Sequence, residues 1–273
     1  MCTVIVGFDP GADVPLVVAA IRDELLDRPW RWPGRHWSDR PGLVGGLDER
    51  AGGTWLAAAP APGSGAPLPR VGAVLNGHPH AGVAPMGTTV DPGEERISRG
   101  GLPLGAAATG ALGPGPAELR HYEPFHLLAA DAGSARVYGW DGRDFTDRRL
   151  APGVTVIVNS GLDDADPRVV RHTPVFARER PAIARATLRG ATGPAEIWGG
   201  WLRLLDSAGA GRPRVDGPRA ESGDPSALMA RVDLGGGLLW ATSSMTLIAC
   251  DREVLRYAFT AAPGVEGAWR MVL

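Results

Sequence analysis

The sequence contains no lysine; all 28 of its basic residues are arginine. A phosphate-binding loop of the Walker type needs a terminal lysine, and stretches such as "GPGPAE" also lack its strand–loop–helix setting. There are only two cysteines, Cys2 and Cys250, too few for a disulfide framework, so both are expected to be free thiols in a reducing compartment. No run is long and apolar enough to span a bilayer. The N-terminus has no basic n-region, and Asp9 and Asp13 interrupt any signal-like segment, so the expectation is a cytoplasmic protein. The formal net charge of −2 makes no field that would gather nucleic acid or anionic lipid. Internal repeats and clean linkers are also missing, and residues 1–273 are read as one domain. Arginine-only basic usage with abundant Ala, Gly and Pro reads as coding bias in a GC-rich bacterial genome.

What is present is a chain long enough to bury a substantial core, 44% hydrophobic and 21% charged. "CTVIVGF" (2–8) is short and β-rich, a strand. "VPLVVAAIRDELLDRP" (14–29) suits either a helix or a strand followed by a turn. The Pro-, Gly-, Trp- and Arg-rich 29–47 reads as a loop, "GGTWLAAA" (52–59) as a strand, and "RVGAVLN" (70–76) as a strand ending at Asn76. Residues 81–117 read as irregular around one short helix. "FHLLAADAGSARVYGWDG" (125–142) has the form of a hairpin, and "GVTVIVNS" (153–160) that of a strand closing on Asn159 and Ser160. Helices are expected at 174–189 and 194–208, the second with Ile197, Trp198, Trp201, Leu202 and Leu205 at helical spacing. "RPRVDGPRAESGDPS" (212–226) reads as a polar loop. A strand pair around Asp251-Arg252-Glu253 and a last strand, "GAWRMVL", close the chain. Many antiparallel strands with grouped helices make an α+β layered fold.

Several strings carry more than secondary structure: "MCTVIV", "RDELLDRP" (22–29), "GGLDERAGGTWLA" (45–57), "AVLN" (73–76), "SRGGL" (98–102) and "VNSGLDD" (158–164). In this order they resemble the NRDE family, also called the transport and Golgi organisation protein 2 family. That family is similar in pattern to N-terminal-nucleophile (Ntn) hydrolases of the choloylglycine hydrolase and penicillin V acylase type. The resemblance implies a four-layer αββα sandwich with two stacked antiparallel sheets. It also implies a cysteine nucleophile exposed by removal of Met1, with Cys2, Arg22, Asp23, Asn76 and Asn159 at the matching places. The implied activity is hydrolysis of a small or non-peptide C–N amide bond, with no cofactor and no metal.

The chemistry of the residues can be read beside that resemblance. A free α-amine titrates near about 7.7–8.0 and can take a thiol proton directly or through water. A guanidinium such as Arg22 favours thiolate and is expected to lower the Cys2 pKa from about 8.5. Asp23 can orient the amine, and the amides of Asn76 and Asn159 can donate to an oxyanion. Each residue also has an ordinary structural use: Cys2 as a small hydrophobe, Arg22-Asp23-Glu24 as a surface ion-pair cluster, Asn76 and Asn159 as turn formers.

Asp48 reads as an Asx turn and Trp55 as core or pocket wall. His78 and His80 lack a third metal ligand at a convincing spacing. Ser243-Ser244 is not set in a nucleophile elbow, and Cys250, in an apolar run, reads as inert. Trp30, Trp32 and Trp37 form either a lid or a loop anchored to the core. Two positions depart from the family pattern. Ile21 stands where the tetrad has asparagine, and "ATSSMT" (241–246) puts Ser243 where relatives tend to carry arginine. The alternative to an amide hydrolase is a non-catalytic carrier of a hydrophobic ligand such as haem or lipid. His36, His78, His80, His121, His126 and His172 then stand as axial-ligand candidates outside any haem motif. An interaction module has no positive support, and no motif speaks to oligomeric state.

Overall fold

The structure, a computed structural model, describes residues 2–61, 66–81, 96–208 and 224–273. Much of the expected polar loop 212–226, and residues 82–95 of the expected irregular stretch 81–117, lie outside these residues.

The first run folds as β1 (Thr3–Phe8). Its alternation sends Val4, Val6 and Phe8 to one face and Ile5 to the other, and both faces are buried. The ambiguous run resolves as a strand, β2 (Leu16–Leu25). It pairs with β1 on one side and with β12 (Leu239–Cys250) on the other, so it is central and covered on both faces. That burial explains its continuous apolar sequence, which a periodicity argument cannot separate from a helix. Arg22 and Asp23 therefore lie within a strand rather than just after one.

The stretch 29–47, expected as a loop, contains two strands, β3 (Trp30–Gly34) and β4 (Val44–Asp48). Pro33 is tolerated because β3 is the edge of its sheet. β5 (Leu56–Ala59), β6 (Arg70–Asn76), β7 (Phe125–Asp131), β8 (Ala135–Trp140) and β9 (Phe145–Arg149) continue as a meander in the order β3-β4-β5-β6-β7-β8-β9. The β7–β8 hairpin falls where the sequence put it. Asp131 Oδ1 closes its turn by accepting the N–H groups of Gly133 (2.8 Å) and Ser134 (2.9 Å).

The other sheet has the order β10-β1-β2-β12-β13-β14, with β10 at Gly153–Ile157, β13 at Leu255–Thr260 and β14 at Arg270–Met271. A short β11 (Arg231–Asp233) adds to the start of β12. Both sheets are antiparallel, and one core lies between them, built from Val4, Val18, Leu56, Val71, Leu75, Leu128 and Phe259 among others.

Helices cover the outer faces. α1 (Leu102–Thr109) packs on the meander sheet, and Gly72 of β6 lies so close to Pro103 that a side chain there would collide with its carbonyl. α2 (Pro167–Arg178), α3 (Arg185–Gly190) and α4 (Pro194–Ser207) cover the β1 sheet. The helix expected at 174–189 is thus two shorter ones. The first starts earlier, where Asp166 caps the N–H of Arg168 at 2.8 Å and Pro167 takes the first helical position. Trp198 and Trp201 of α4 are fully buried, as their spacing required. The result is an α+β sandwich of two stacked antiparallel sheets with helices outside. Among the described residues, no helix is long and apolar enough to cross a membrane.

Candidate functional site

β1 pairs with β2 through Thr3↔Ile21 and with β10 through Val4↔Ile157. Carried to the start of β1, this register sets Cys2 beside Arg22 on one side and towards Asn159 on the other. Cys2 follows the alternation of Val4 and Val6, so it faces the space between the sheets and packs against the core there. It is half-buried, and its Sγ–H donates to the Asp23 carbonyl at 3.5 Å. Cys2 and Arg22 border a small, partly open pocket, walled by Val4, Ala20 and Ile21 from one sheet and Trp55, Ala73, Val74 and Leu75 from the other.

Arg22 is the hub of this site. It is 6% exposed. Its Nη1 donates to Ser243 Oγ at 3.1 Å, and Ser243 donates in turn to the Arg22 carbonyl at 3.2 Å. The contact sits at a register shift in β12 between Thr242 and Ser244. Nη2 lies 3.7 Å from both Glu24 Oε2 and Asp48 Oδ2. The guanidinium also stacks on the Trp55 indole, 4.3 Å from the ring centroid. Burial pulls its pKa below the usual arginine value, against the carboxylates.

The "GGLDERAGGTWL" string builds the far wall. Asp48 forms the expected Asx turn by accepting the N–H groups of Arg50 (3.1 Å) and Ala51 (3.0 Å), and it also takes Arg28 Nε at 2.7 Å. Burial works against its charge, but the Arg28 hydrogen bond and the Ala51 N–H hold its carboxyl below the usual range. Gly46 must be glycine, because a Cβ there would enter the Trp55 ring. Gly53 lies directly against Gly100, and Thr54 N–H bonds the Gly100 carbonyl at 2.9 Å. That contact joins the "SRGGL" string to the "AGGTWL" string.

Asp23 points to the opposite face of β2. Its side chain is fully buried; it accepts from Thr242 Oγ1 at 2.6 Å and lies 3.9 Å from Arg168 Nη1. Arg168 also donates to Thr3 Oγ1 at 3.1 Å, so the network reaches the residue after Cys2. Burial raises the Asp23 pKa. Burial, followed by the Asp23 charge, also raises the Cys2 pKa, with Arg22 pulling the other way. With Met1 in place, Arg22 acts in the expected direction but is outweighed by burial and the Asp23 charge. Arg22 is already balanced by Glu24 and Asp48, and desolvation prevails.

The two asparagines meet at the same end of the sandwich. Asn159 sits in a tight turn closed by Val158 and Gly161, and its Nδ2 donates to the Asn76 carbonyl at 2.6 Å. This bond ties the end of β6 to the turn after β10, one sheet to the other. Asn159 is 6% exposed and its Oδ1 is buried without a hydrogen-bond partner, whereas Asn76 is exposed. His126 Nε2–H donates to the Asn159 carbonyl at 3.2 Å, bracing the turn from β7.

Cys2 and Arg22 thus share one pocket, Asn159 follows β10 on the far side of β1 and bonds the Asn76 backbone outside the described lining, and Asp23 lies behind β2. Arg168 and Thr242 were missed as site residues, and Ser243 was noted only as a departure from the family pattern. Only an arginine in the buried stripe of α2, beside Val169 and Phe176, could have signalled the first of them.

Elsewhere, Trp30 and Trp32 are anchored rather than forming a lid: they pack on Phe259, and Trp30 also meets Trp55. Cys250 is buried, and burial raises its pKa strongly. His80 does find acidic neighbours, Asp141 and Asp144, all within 4.8 Å of one another. However, Asp141 bonds His80 Nδ1 at 3.0 Å, and Arg143 lies 3.4 Å from the other ring nitrogen, an unfavourable setting for a cation.

The model of the family described as Transport and Golgi organisation 2 matches residues 1–179, a span holding Cys2, Arg22, Asp23, Asn76 and Asn159. No curated protein matches the chain.

Proposed function

The chain belongs to the Transport and Golgi organisation 2 family, and from that premise we propose that it is an Ntn-type cysteine hydrolase of small amides, with Cys2 as nucleophile once Met1 is removed. The observation that carries this reading is Cys2 facing a pocket between the two sheets with Arg22 on its wall; the register of β1 with β10 supports Asn159 as its neighbour on the other side. A thiol attacks only once its proton is removed, so the step needs a base, and the α-amine freed on Cys2 itself is near enough to serve.

In the proposed reaction the amine takes the thiol proton and the sulfur attacks the amide carbon. The remaining N–H of Asn159 Nδ2 donates to the oxyanion, a bond of a kind worth roughly 3–4 kcal/mol in the transition state. The ammonium then protonates the leaving amine, leaving a thioester on Cys2 that water hydrolyses. Asp23, tied to Thr242 and near Arg168, fixes the end of β2 beneath the nucleophile. For the carrier reading this pocket offers no axial ligand, since its described lining has no histidine.

Intact-mass and peptide mapping test the proposal. Protein from its own host should lack Met1 and form a thioester adduct on Cys2 with activated amides, and Cys2→Ala should form none. Retained Met1, or turnover unchanged in Cys2→Ala, sinks it.

A further inference from the structure

We propose that Arg99 determines specificity at the mouth of the Cys2 site by receiving a carboxylate carried on the amide substrate. The proposal rests on the hydrolase reading only in calling that ligand a substrate.

Place in the fold is the first argument. The space beside Cys2 and Arg22 is about 20 Å³, room for a water or two. Larger groups attached to the reacting amide must therefore lie across the opening. Arg99 begins the 3-10 turn Arg99–Gly101 of the "SRGGL" string. Its backbone is fixed next to the pocket wall, where Gly100 lies against Gly53 and accepts the Thr54 N–H at 2.9 Å, one residue before Trp55. Its head is fixed two strands away, where Nη1 donates to the Pro124 carbonyl at 2.8 Å. Pro124 also accepts the Gly77 N–H at 2.8 Å, and Phe125 after it pairs with Asn76. The side chain thus crosses the end of β6, from the start of β5 to the start of β7, beside the wall residues Trp55 and Leu75. Burial pulls its pKa below the usual arginine value. The charges opposing that shift are Glu123 and then a thiolate at Cys2, so the cation is within electrostatic reach of the nucleophile.

Charge is the second argument. Arg22 lies 3.7 Å from both Glu24 and Asp48, and Arg28 grips Asp48 with Nε at 2.7 Å and Nη2 at 3.2 Å. Arg99 is compensated less. The Pro124 carbonyl brings no net charge, and its one ion-pair partner among the described residues is Glu123, 3.3 Å from Nη2 and 41% exposed. Glu123 is shared with Arg96, also at 3.3 Å. Around the opening the described cations Arg22, Arg28, Arg96 and Arg99 face the anions Glu24, Asp48 and Glu123, four against three. Behind β2, Asp23 and Arg168 offset each other. With Nη1 committed to Pro124, Arg99 keeps its Nε–Nη2 edge, the edge by which Arg28 holds a carboxylate with two bonds. An exposed pair such as Arg99–Glu123 contributes little, so an incoming carboxylate can replace Glu123 and take both donors.

The test labels Cys2 with 2-carboxyethyl, 2-hydroxyethyl and 2-aminoethyl methanethiosulfonate, read by peptide mass. The Cys2 thiolate attacks the sulfenyl sulfur, a mixed disulfide forms, the S–SO2 bond breaks, and methanesulfinate leaves with the electron pair. All three reagents meet the same thiolate. The carboxyethyl-to-hydroxyethyl rate ratio, divided by that of free cysteine, therefore cancels any effect of a variant on the thiol pKa. It should be at least about threefold above one in the parent, with aminoethyl disfavoured, and should shrink at high salt. Arg99→Met should bring it close to one, and Glu123→Gln should raise it. Arg96→Met, which removes a cation from the other side of Glu123, should leave most of the preference. If Arg99→Met fails to fold, Glu123→Gln decides: a higher ratio supports the proposal and an unchanged one overturns it. A parent ratio at or below one, a ratio unchanged in Arg99→Met, an equal fall in Arg96→Met, or a Cys2 that no reagent reaches also overturns it. Thioester formation and loss of Met1 decide the hydrolase reading separately. An Arg99-dependent preference in protein that forms no thioester supports the carboxylate site and refutes its use in hydrolysis; thioester formation without the preference refutes the carboxylate site alone.

Discussion

Replacing Arg22 by methionine keeps most of the aliphatic stem and removes the guanidinium that links the site's two walls. The lost contacts are a charge-assisted hydrogen bond to Ser243 at 3.1 Å, worth about 1.5–3 kcal/mol, and stacking on Trp55 at 4.3 Å, worth about 0.5–2 kcal/mol. Removing one member of a buried ion cluster also leaves its partners uncompensated. That cost is softened here, because Arg28 still holds Asp48 at 2.7 Å and lies 3.7 Å from Glu24. The net expectation is a loss of about 2–4 kcal/mol. In a chain of this size that corresponds to a fall in Tm of roughly 5–12 °C.

Thermal and urea unfolding by circular dichroism measure it, with two companions that separate the causes. Arg28→Met removes a half-exposed partner and should lose no more than about 1 kcal/mol. Arg22→Lys retains the charge but neither the planar face over Trp55 nor the fixed geometry of the guanidinium, so it should recover less than half of the loss. An Arg22→Met variant within about 0.5 kcal/mol of the parent, or full rescue by lysine, would refute the role assigned to the guanidinium.

Gly46→Ala should destabilise the fold by about 1–3 kcal/mol and shift Trp55 fluorescence, because its Cβ would enter the indole ring; an unchanged emission spectrum would contradict that packing. Burial raises the Asp23 pKa, so the folded chain holds this proton more tightly than the unfolded one. Its contribution is fully present below the unfolded value near about 3.9 and is lost as pH rises through the higher folded value. Urea midpoints from acid to neutral pH should thus show a smaller decline in Asp23→Asn than in the parent. His126 is shifted the other way by burial, so it contributes stability above about 6.5 that is lost as pH falls through its lower folded value; His126→Gln should flatten that loss. Alkylation of the native protein should reach Cys2 and spare Cys250. For protein retaining Met1, the Cys2 rate should still be climbing above the pH at which free cysteine levels off.

The strands rich in β-branched residues were legible because their alternation or apolar continuity survives in any context: β1, β6, β10, β12 and β13 lie where the sequence put them. β3 and β4 were not, since Pro33, Gly45 and Gly46 are turn formers by local preference. Tertiary contacts decide otherwise. An edge strand needs no donor from Pro33, and Gly45 and Gly46 are required by the Leu56 carbonyl and the Trp55 ring, neither of which a local window contains. β2 was ambiguous for a related reason, its burial on both faces having erased the period that distinguishes a strand. At the site, Cys2, Arg22 and Asn159 were readable as strand or strand-end residues. Their partners were not. Ser243 and Thr242 lie more than two hundred residues from Arg22 and Asp23, and the order of strands, not sequence spacing, brings them alongside.

The two departures from the family pattern bear on whether this site is intact, and the fold treats them differently. Ile21 is 2% exposed and belongs to the core beneath the helices, with Ile5, Met245 and Leu247, while Arg22 next to it faces the other sheet. An asparagine at 21 would place an amide in that apolar layer, where it would need a partner of its own. Isoleucine meets no such requirement, and the substitution leaves the face of β2 that carries Arg22 unaltered. Ser243 does touch the site. It both accepts from the Arg22 guanidinium and donates to the Arg22 carbonyl, so it fixes the side chain and the strand of the residue beside Cys2. An arginine in its place would set a second cation beside Arg22, where only Glu24 and Asp48 stand to balance it and Arg28 already draws on both. The short hydroxyl instead fits the bulge in β12 beside Arg22 without adding charge. Ser243→Ala should accordingly loosen Arg22 without adding charge, and in the hydrolase reading it should slow acylation of Cys2 more than it lowers stability. The opposite order would mean that Ser243 serves only to close the bulge in β12.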